Sequence, residues 1–293
     1  MTKKRRVGWL GMCMVTLIVS LVVQIIGGIV SVLPISLAMV LQEMTDSFVI
    51  SLFSTAILSE AMSVTLLITH AMLLLCFGLW YRYGCCDRKV RKQVVKEIFT
   101  GRNLLIILII SAGMCFLTNF ALNAAYPLIP RKVMSDYENL METAGFGNSI
   151  LPTIVAVLIA PFGEEFIFRG VLFYYAKRAF GDMESKRKAF WIANCIQALC
   201  FGIFHFNIVQ GTYAFFMGLA LGYLAHRFKS LLPSILGHML INGLSSFAWN
   251  PFVSMFPQSY AVYVIGTVVF AVIVILGFKM GGPAEPNTAE TIE

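Results

Sequence analysis

Apolar residues in this chain are gathered into runs of about twenty, and the gaps between them carry short clusters of lysine and arginine. A bilayer core roughly 30 Å thick is crossed by about 20 apolar helical residues. On that ruler the sequence offers eight candidate spans, near residues 9–33, 56–80, 103–126, 150–176, 189–206, 210–226, 231–248 and 259–279, the fifth to seventh being short. The expected fold class is all-α: a polytopic membrane protein of about eight transmembrane helices, with any active site within them.

Composition agrees. The chain of 293 residues is 58% hydrophobic and 13% charged, with a mean hydropathy of +0.81, whereas soluble domains are about a quarter charged. The net charge of +7 does not point to nucleic acid, because the basic residues form no aromatic-interleaved face and no long tail. They lie instead in the connections. With eight spans, nineteen of the 22 lysines and arginines fall on one side, from Lys3–Arg6 through Arg82–Arg102, Lys177–Lys188 and Arg227–Lys229 to Lys279. Arg131 and Lys132 lie opposite, and Arg169 is intramembrane. The positive-inside rule then puts both termini in the cytoplasm.

The start, MTKKRRVGWLGMCMVTLIVSLVVQII, has the charged and apolar regions of a signal peptide. Its apolar stretch continues to about Leu41 with no small-x-small cleavage site, which suits a retained spanning helix better. Residues 34–55 contain Glu43 and Asp46 and are expected as a loop or an interfacial helix. The loop 127–148 is polar enough to carry a short amphipathic helix, and 281–293 reads as a disordered tail. Seven cysteines form no CxxC pair and read as small packing residues, with S-acylation at Cys85-Cys86 a weak alternative. The organisation expected is membrane helices 1–3 and their loops over 1–148, a catalytic core over 149–250, a last helix over 251–280 and a cytoplasmic tail over 281–293.

One span breaks the apolar pattern. PFGEEFIFRG, residues 161–170, places Glu164, Glu165 and Arg169 where lipid is expected. A central charge in a spanning helix costs about 2.5–3.5 kcal/mol on insertion scales. Glu165 and Arg169 are four apart, hence neighbours on one helical face with the acid first, and such a pair can serve simply to fix helix rotation. Glu164, about 100° away around the helix, is left without a local partner. An unpaired membrane carboxylate marks a functional site by default. Four histidines are candidate partners. His226, beside Arg227, reads as interfacial, and His70 in the second span as a helix-packing residue. His205 ends the fifth span, and His238 shares a helical face with Asn242 four residues on. Glu60, a further buried acid, reads as a helix contact.

In order, these stretches resemble the CAAX protease and bacteriocin-processing family of intramembrane endopeptidases, also called type II CAAX prenyl endopeptidase-like. Glu164-Glu165-x-x-x-Arg169 is similar to its EExxxR motif, Phe201-x-x-x-His205 to its FxxxH motif and His238-x-x-x-Asn242 to its HxxxN motif. The resemblance covers about residues 150–245 and implies eight helices with a polar site toward the cytoplasmic leaflet. It also implies roles. Glu164 activates water with help from His205, Glu165 is held by Arg169, and His238 with Asn242 donates to the oxyanion.

Peptide hydrolysis needs a base for water, a proton for the leaving amine and donors for the oxyanion, and this set is chemically sufficient. No cofactor is favoured. A zinc version remains open, with Glu164, His205 and His238 as ligands, although the chain lacks HExxH. The expected partners are the lipid bilayer and a peptide or protein substrate at the membrane. Family relatives act on prenylated CAAX proteins or in bacterial peptide maturation and bacteriocin immunity. Short loops and compact length suit a bacterial plasma-membrane member. The alternative is a non-catalytic immunity or receptor protein that binds a peptide or toxin complex. A proton-coupled carrier using Glu60, Glu164 and Glu165 is disfavoured by the absence of visible repeats.

Overall fold

The computed structural model describes residues 2–44, 47–86, 98–143 and 150–282. Outside it lie Asp46, the basic residues Arg88, Lys89, Arg91, Lys92 and Lys96, the end of the 127–148 loop, and the tail from 283 on. Every regular element among the described residues is helical. In chain order these are α1 (Lys3–Met44), α2 (Phe48–Ser59), α3 (Ala61–Trp80, followed by a π-helical turn), α4 (Gly101–Ala125), α5 (Arg131–Thr143), α6 (Ile150–Phe180), α7 (Lys186–Phe204), α8 (Ile208–Arg227), α9 (Leu232–Phe247), α10 (Trp249–Val253) and α11 (Tyr260–Gly281).

Six of these are long and apolar enough to cross a bilayer: α1, α3, α4, α6, α8 and α11. The chain is a multi-pass, all-α integral membrane protein. Helices α7 and α9 occupy the expected fifth and seventh spans. The first begins with three basic residues and the second has only 16 residues, which is why neither qualifies alone. Residues 34–44, expected outside the first span, continue α1 through Pro34 to a total of 42 residues. The stretch after Pro34 is almost wholly apolar, so nothing in it favours stopping the helix. The amphipathic helix expected in the polar loop is α5, with Met134 turned inward.

The motif-bearing helices form the interior of the bundle. Helix α6 packs against α1, α3 and α7, while α8 lies between α7 and α9, and α4 backs α9 and α11. The core is built from residues such as Leu73, Phe77, Ile110, Phe168, Phe173, Phe201 and Leu221. The outer helices turn large apolar side chains outward, among them Ile25, Leu33, Leu75, Ile265 and Ile275. In water such a surface would be an aggregation hazard; against acyl chains it is solvated. The basic ends meet at one end of the bundle. There Arg6 binds Asp182 at 2.8 Å, Arg227 donates to the Gly281 carbonyl and Arg102 to that of Met280.

Helix α6 is not uniform. It widens into π-helical turns at Val155–Ile159 and Phe166–Leu172, on either side of the α-helical stretch Ala160–Glu165. Pro161 has no N–H to give the carbonyl four residues back, and its ring crowds that carbonyl. A wider turn just before it relieves both problems. Such π-turns are frequent at functional sites.

Candidate active site

Glu164 and Glu165 sit midway along α6, between its two π-turns, and both are buried. Glu165 is fully enclosed. Its Oε1 accepts from Arg169 Nη1 at 2.8 Å, the i,i+4 pair read from the sequence. The guanidinium of Arg169 also lies over the ring of Phe201, 4.3 Å from its centroid. A desolvated cation gains about 2 kcal/mol from such a face. Phe201, near the end of α7, in turn meets His205 and His238 edge-on at 4.9 and 5.7 Å. One aromatic ring thus joins the buried cation to both motif histidines.

His238 comes in from α9 and is almost fully buried. Its Nδ1 is 2.9 Å from Glu165 Oε1. That carboxylate is ion-paired and only accepts, so Nδ1 carries the proton. In the neutral ring Nε2 then bears a lone pair, and it faces Glu164 Oε2 at 3.6 Å. Asn242, one turn further along α9, donates Nδ2 to the carbonyl of Ala156 at 2.9 Å. Ala156 lies in the first π-turn, where carbonyls lose their regular helical partners. One amide hydrogen of Asn242 therefore ties α9 to α6, and a second remains for other use.

His205 ends α7. The chain reverses there within three residues, with Phe206 in the left-handed region at φ 51° and Asn207 capping α8 through its Oδ1, 3.0 Å from each of two backbone amides. His205 is half-buried and lies within electrostatic reach of Glu164, with no side-chain hydrogen bond among the described residues. An apolar groove of about 530 Å³ runs along the outside of this α7–α8 turn, lined by Leu199, Ile203, Phe206, Ile208 and Phe215.

Of the ligands named for the zinc alternative, His238 Nε2 lies 3.6 Å from Glu164 Oε2. Among the described residues no three His, Cys, Asp or Glu side chains are grouped so as to hold a metal ion.

The three motifs thus come from α6, α7 and α9 and meet around one carboxylate. Residues 146–244, about a third of the chain, match the family model described as type II CAAX prenyl endopeptidase Rce1-like. That segment is similar to the CAAX protease family. No curated protein and no solved structure matches the chain. All six candidate site residues fall inside the family segment.

One neighbour of Glu164 does not. His70 of α3 places Nε2 3.7 Å from Glu164 Oε1, although its sequence context suggested only helix packing. The remaining polar candidates have other uses. Glu60 accepts from Ser63 at 2.7 Å at the α2–α3 junction. His226 stacks on Phe190 with centroids 4.5 Å apart.

Proposed function

We propose that this chain is an intramembrane endopeptidase that hydrolyses a peptide bond of a membrane-associated protein or peptide. One observation carries the reading. The two oxygens of a buried, otherwise unpaired carboxylate each face an imidazole Nε2, at 3.7 and 3.6 Å. Those gaps are somewhat long for direct hydrogen bonds, and a water seated beside them can touch both groups.

In the proposed reaction Glu164 takes a proton from water as its oxygen attacks the carbonyl carbon of the scissile bond. His205, from the turn beside the apolar groove, helps hold that water. The developing oxyanion accepts from His238 and from the second amide hydrogen of Asn242. His238 donates through Nε2 only when both ring nitrogens carry protons. Glu164 then passes its proton to the amine nitrogen as the C–N bond breaks, which restores the carboxylate. Glu165 and Arg169 orient His238 and take no proton. Removing one oxyanion donor typically lowers the rate about 10²–10³-fold.

The reaction is proposed without metal, because Glu164 with two imidazoles and a carboxamide supplies base, acid and oxyanion donors. Inactivation by 1,10-phenanthroline with recovery on adding zinc would reverse this point. Both termini are proposed to be cytoplasmic, in a bacterial plasma membrane, with the substrate bond entering from the cytoplasmic face. The family description makes a prenylated CAAX terminus the first substrate to try, and the apolar groove would suit its lipid tail. The deciding experiment compares peptides by mass spectrometry from cells carrying the wild-type and Glu164→Ala chains. A product that disappears in the variant supports the reading. An unchanged peptide set, with both proteins inserted at equal levels, ends it.

A further inference from the structure

Residue His70 lies on α3, outside the family segment, yet its ring is held as an active-site ring would be. Nδ1 is 2.8 Å from the carbonyl of Leu66, one turn earlier on the same helix. A carbonyl only accepts, so Nδ1 donates, and Nε2 is the free nitrogen of the neutral ring. That nitrogen points at Glu164 Oε1 at 3.7 Å, with side-chain exposures of 13% and 10%.

His238 does the same from the opposite side, with Nδ1 on Glu165 and Nε2 toward Oε2. The carboxylate of Glu164 is therefore clasped between two imidazole nitrogens, one per oxygen. Nitrogen lone pairs and carboxylate oxygens are all acceptors. Each contact is favourable only if a proton lies in it, on the ring or on a bridging water.

The backbone brings α3 close enough for this. A methyl group at Gly163 would lie 3.5 Å from both the His70 carbonyl oxygen and Leu73 Cβ, so α3 and α6 touch at the residue before Glu164. On the adjoining face of α3, a methyl at Gly27 of α1 would fall 2.7 Å from Thr69 Oγ1. Helix α3 is thus held by both α1 and α6 at the turn that carries His70.

We propose that His70 is a positioning residue of the site, holding Oε1 of Glu164 through a shared proton or one bridging water and thereby presenting Oε2 to the reacting water. Its catalytic consequence rests on the endopeptidase reading above; its coupling to Glu164 does not.

Two measurements test it separately. In full-length protein in detergent, labelled with ¹⁵N-histidine, Glu164→Gln is expected to move the His70 Nε2 resonance and leave Nδ1 in place. A histidine that serves only to pack against Leu66 gives an unmoved Nε2, and that result overturns the proposal. The second uses a quenched fluorescent peptide ending in a farnesylated CAAX sequence. His70→Leu is expected to lower kcat about 10–100-fold, by analogy with the groups that orient metal ligands, with KM little changed, and His70→Gln to recover part of the loss. Wild-type kcat in a folded His70→Leu protein, beside an inactive Glu164→Gln control, overturns the positioning role and leaves the endopeptidase reading intact. Cleavage that survives Glu164→Gln removes that reading instead, and the resonance shift still decides whether His70 and Glu164 are coupled.

Discussion

Gly202 and Gly211 meet backbone to backbone: a methyl on Gly202 would lie 2.6 Å from the Gly211 carbonyl oxygen, and one on Gly211 2.7 Å from that of Gly202. This contact closes α7 onto α8 directly beside the turn that bears His205. Neither carbonyl can move aside without moving its helix. Gly211→Ala is therefore expected to destabilise the protein by about 1–3 kcal/mol, the usual range for overpacking. It should also lower activity by displacing His205. Thermal unfolding in detergent, paired with kcat, checks both effects.

Glu164→Gln should separate activity from stability. Peptide cleavage is expected to fall at least about 10³-fold, since base and proton donor are lost together. Stability should hold or rise, because a buried carboxylate with only two histidines beside it, at 3.6 and 3.7 Å, is costly to keep. A variant that loses stability in step with activity would mean that Glu164 is structural.

Arg169→Met leaves the buried Glu165 carboxylate with His238 Nδ1 but no cation beside it. Breaking such a pair from one side costs about 3–5 kcal/mol, whereas replacing both members is often neutral. The double variant Glu165→Gln/Arg169→Met should recover most of the lost stability and remain inactive, since His238 keeps no carboxylate on Nδ1. A double-mutant cycle on unfolding free energies measures the coupling.

Asn242→Asp should be worse than its size suggests. An ionised Asp has no hydrogen for the Ala156 carbonyl, so two acceptors would face each other where a 2.9 Å bond now stands. Leaving a buried acceptor unpaired costs about 1–3 kcal/mol. Lower thermal stability than in Asn242→Ala is the expected result.

At the basic end of the bundle, the hydrogen bond from Arg6 holds the Asp182 carboxyl below the usual carboxylate range. A depressed native value means that the contribution is present above the ordinary carboxylate pKa and is lost as pH falls through the lowered one. Protection from hydrogen exchange at the start of α1, taken relative to the intrinsic rate at each pH, should therefore fall on acidification in the wild type and lose that dependence in Asp182→Asn. Because the pair is exposed, added salt should shrink the difference.

Local geometry made part of this site legible. Four-residue spacing gave the Glu165–Arg169 pair, and apolar run length gave the helices. The rest depends on how helices dock. Nothing in the sequence near His70 says that α3 lies against Gly163, because that placement comes from shape matching at Gly27–Thr69 and Gly163. Asn242 and His238 share a face by spacing, yet one reaches a carbonyl of a π-turn and the other a carboxylate. The π-turns are themselves a response to Pro161 and to packing around α6. In α1 the limit was of another kind: hydropathy marks where lipid is tolerated and does not say where a helix stops.

That first helix has a mechanical consequence. Forty-two residues of continuous helix measure about 63 Å at 1.5 Å per residue, twice the depth of a hydrocarbon slab. Leaning far enough to fit would take about 60°, beyond the 0–40° seen for spanning helices. Its end beyond Pro34, with Leu37, Met39 and Met44 facing outward, must therefore emerge among the headgroups or stretch the leaflet around it.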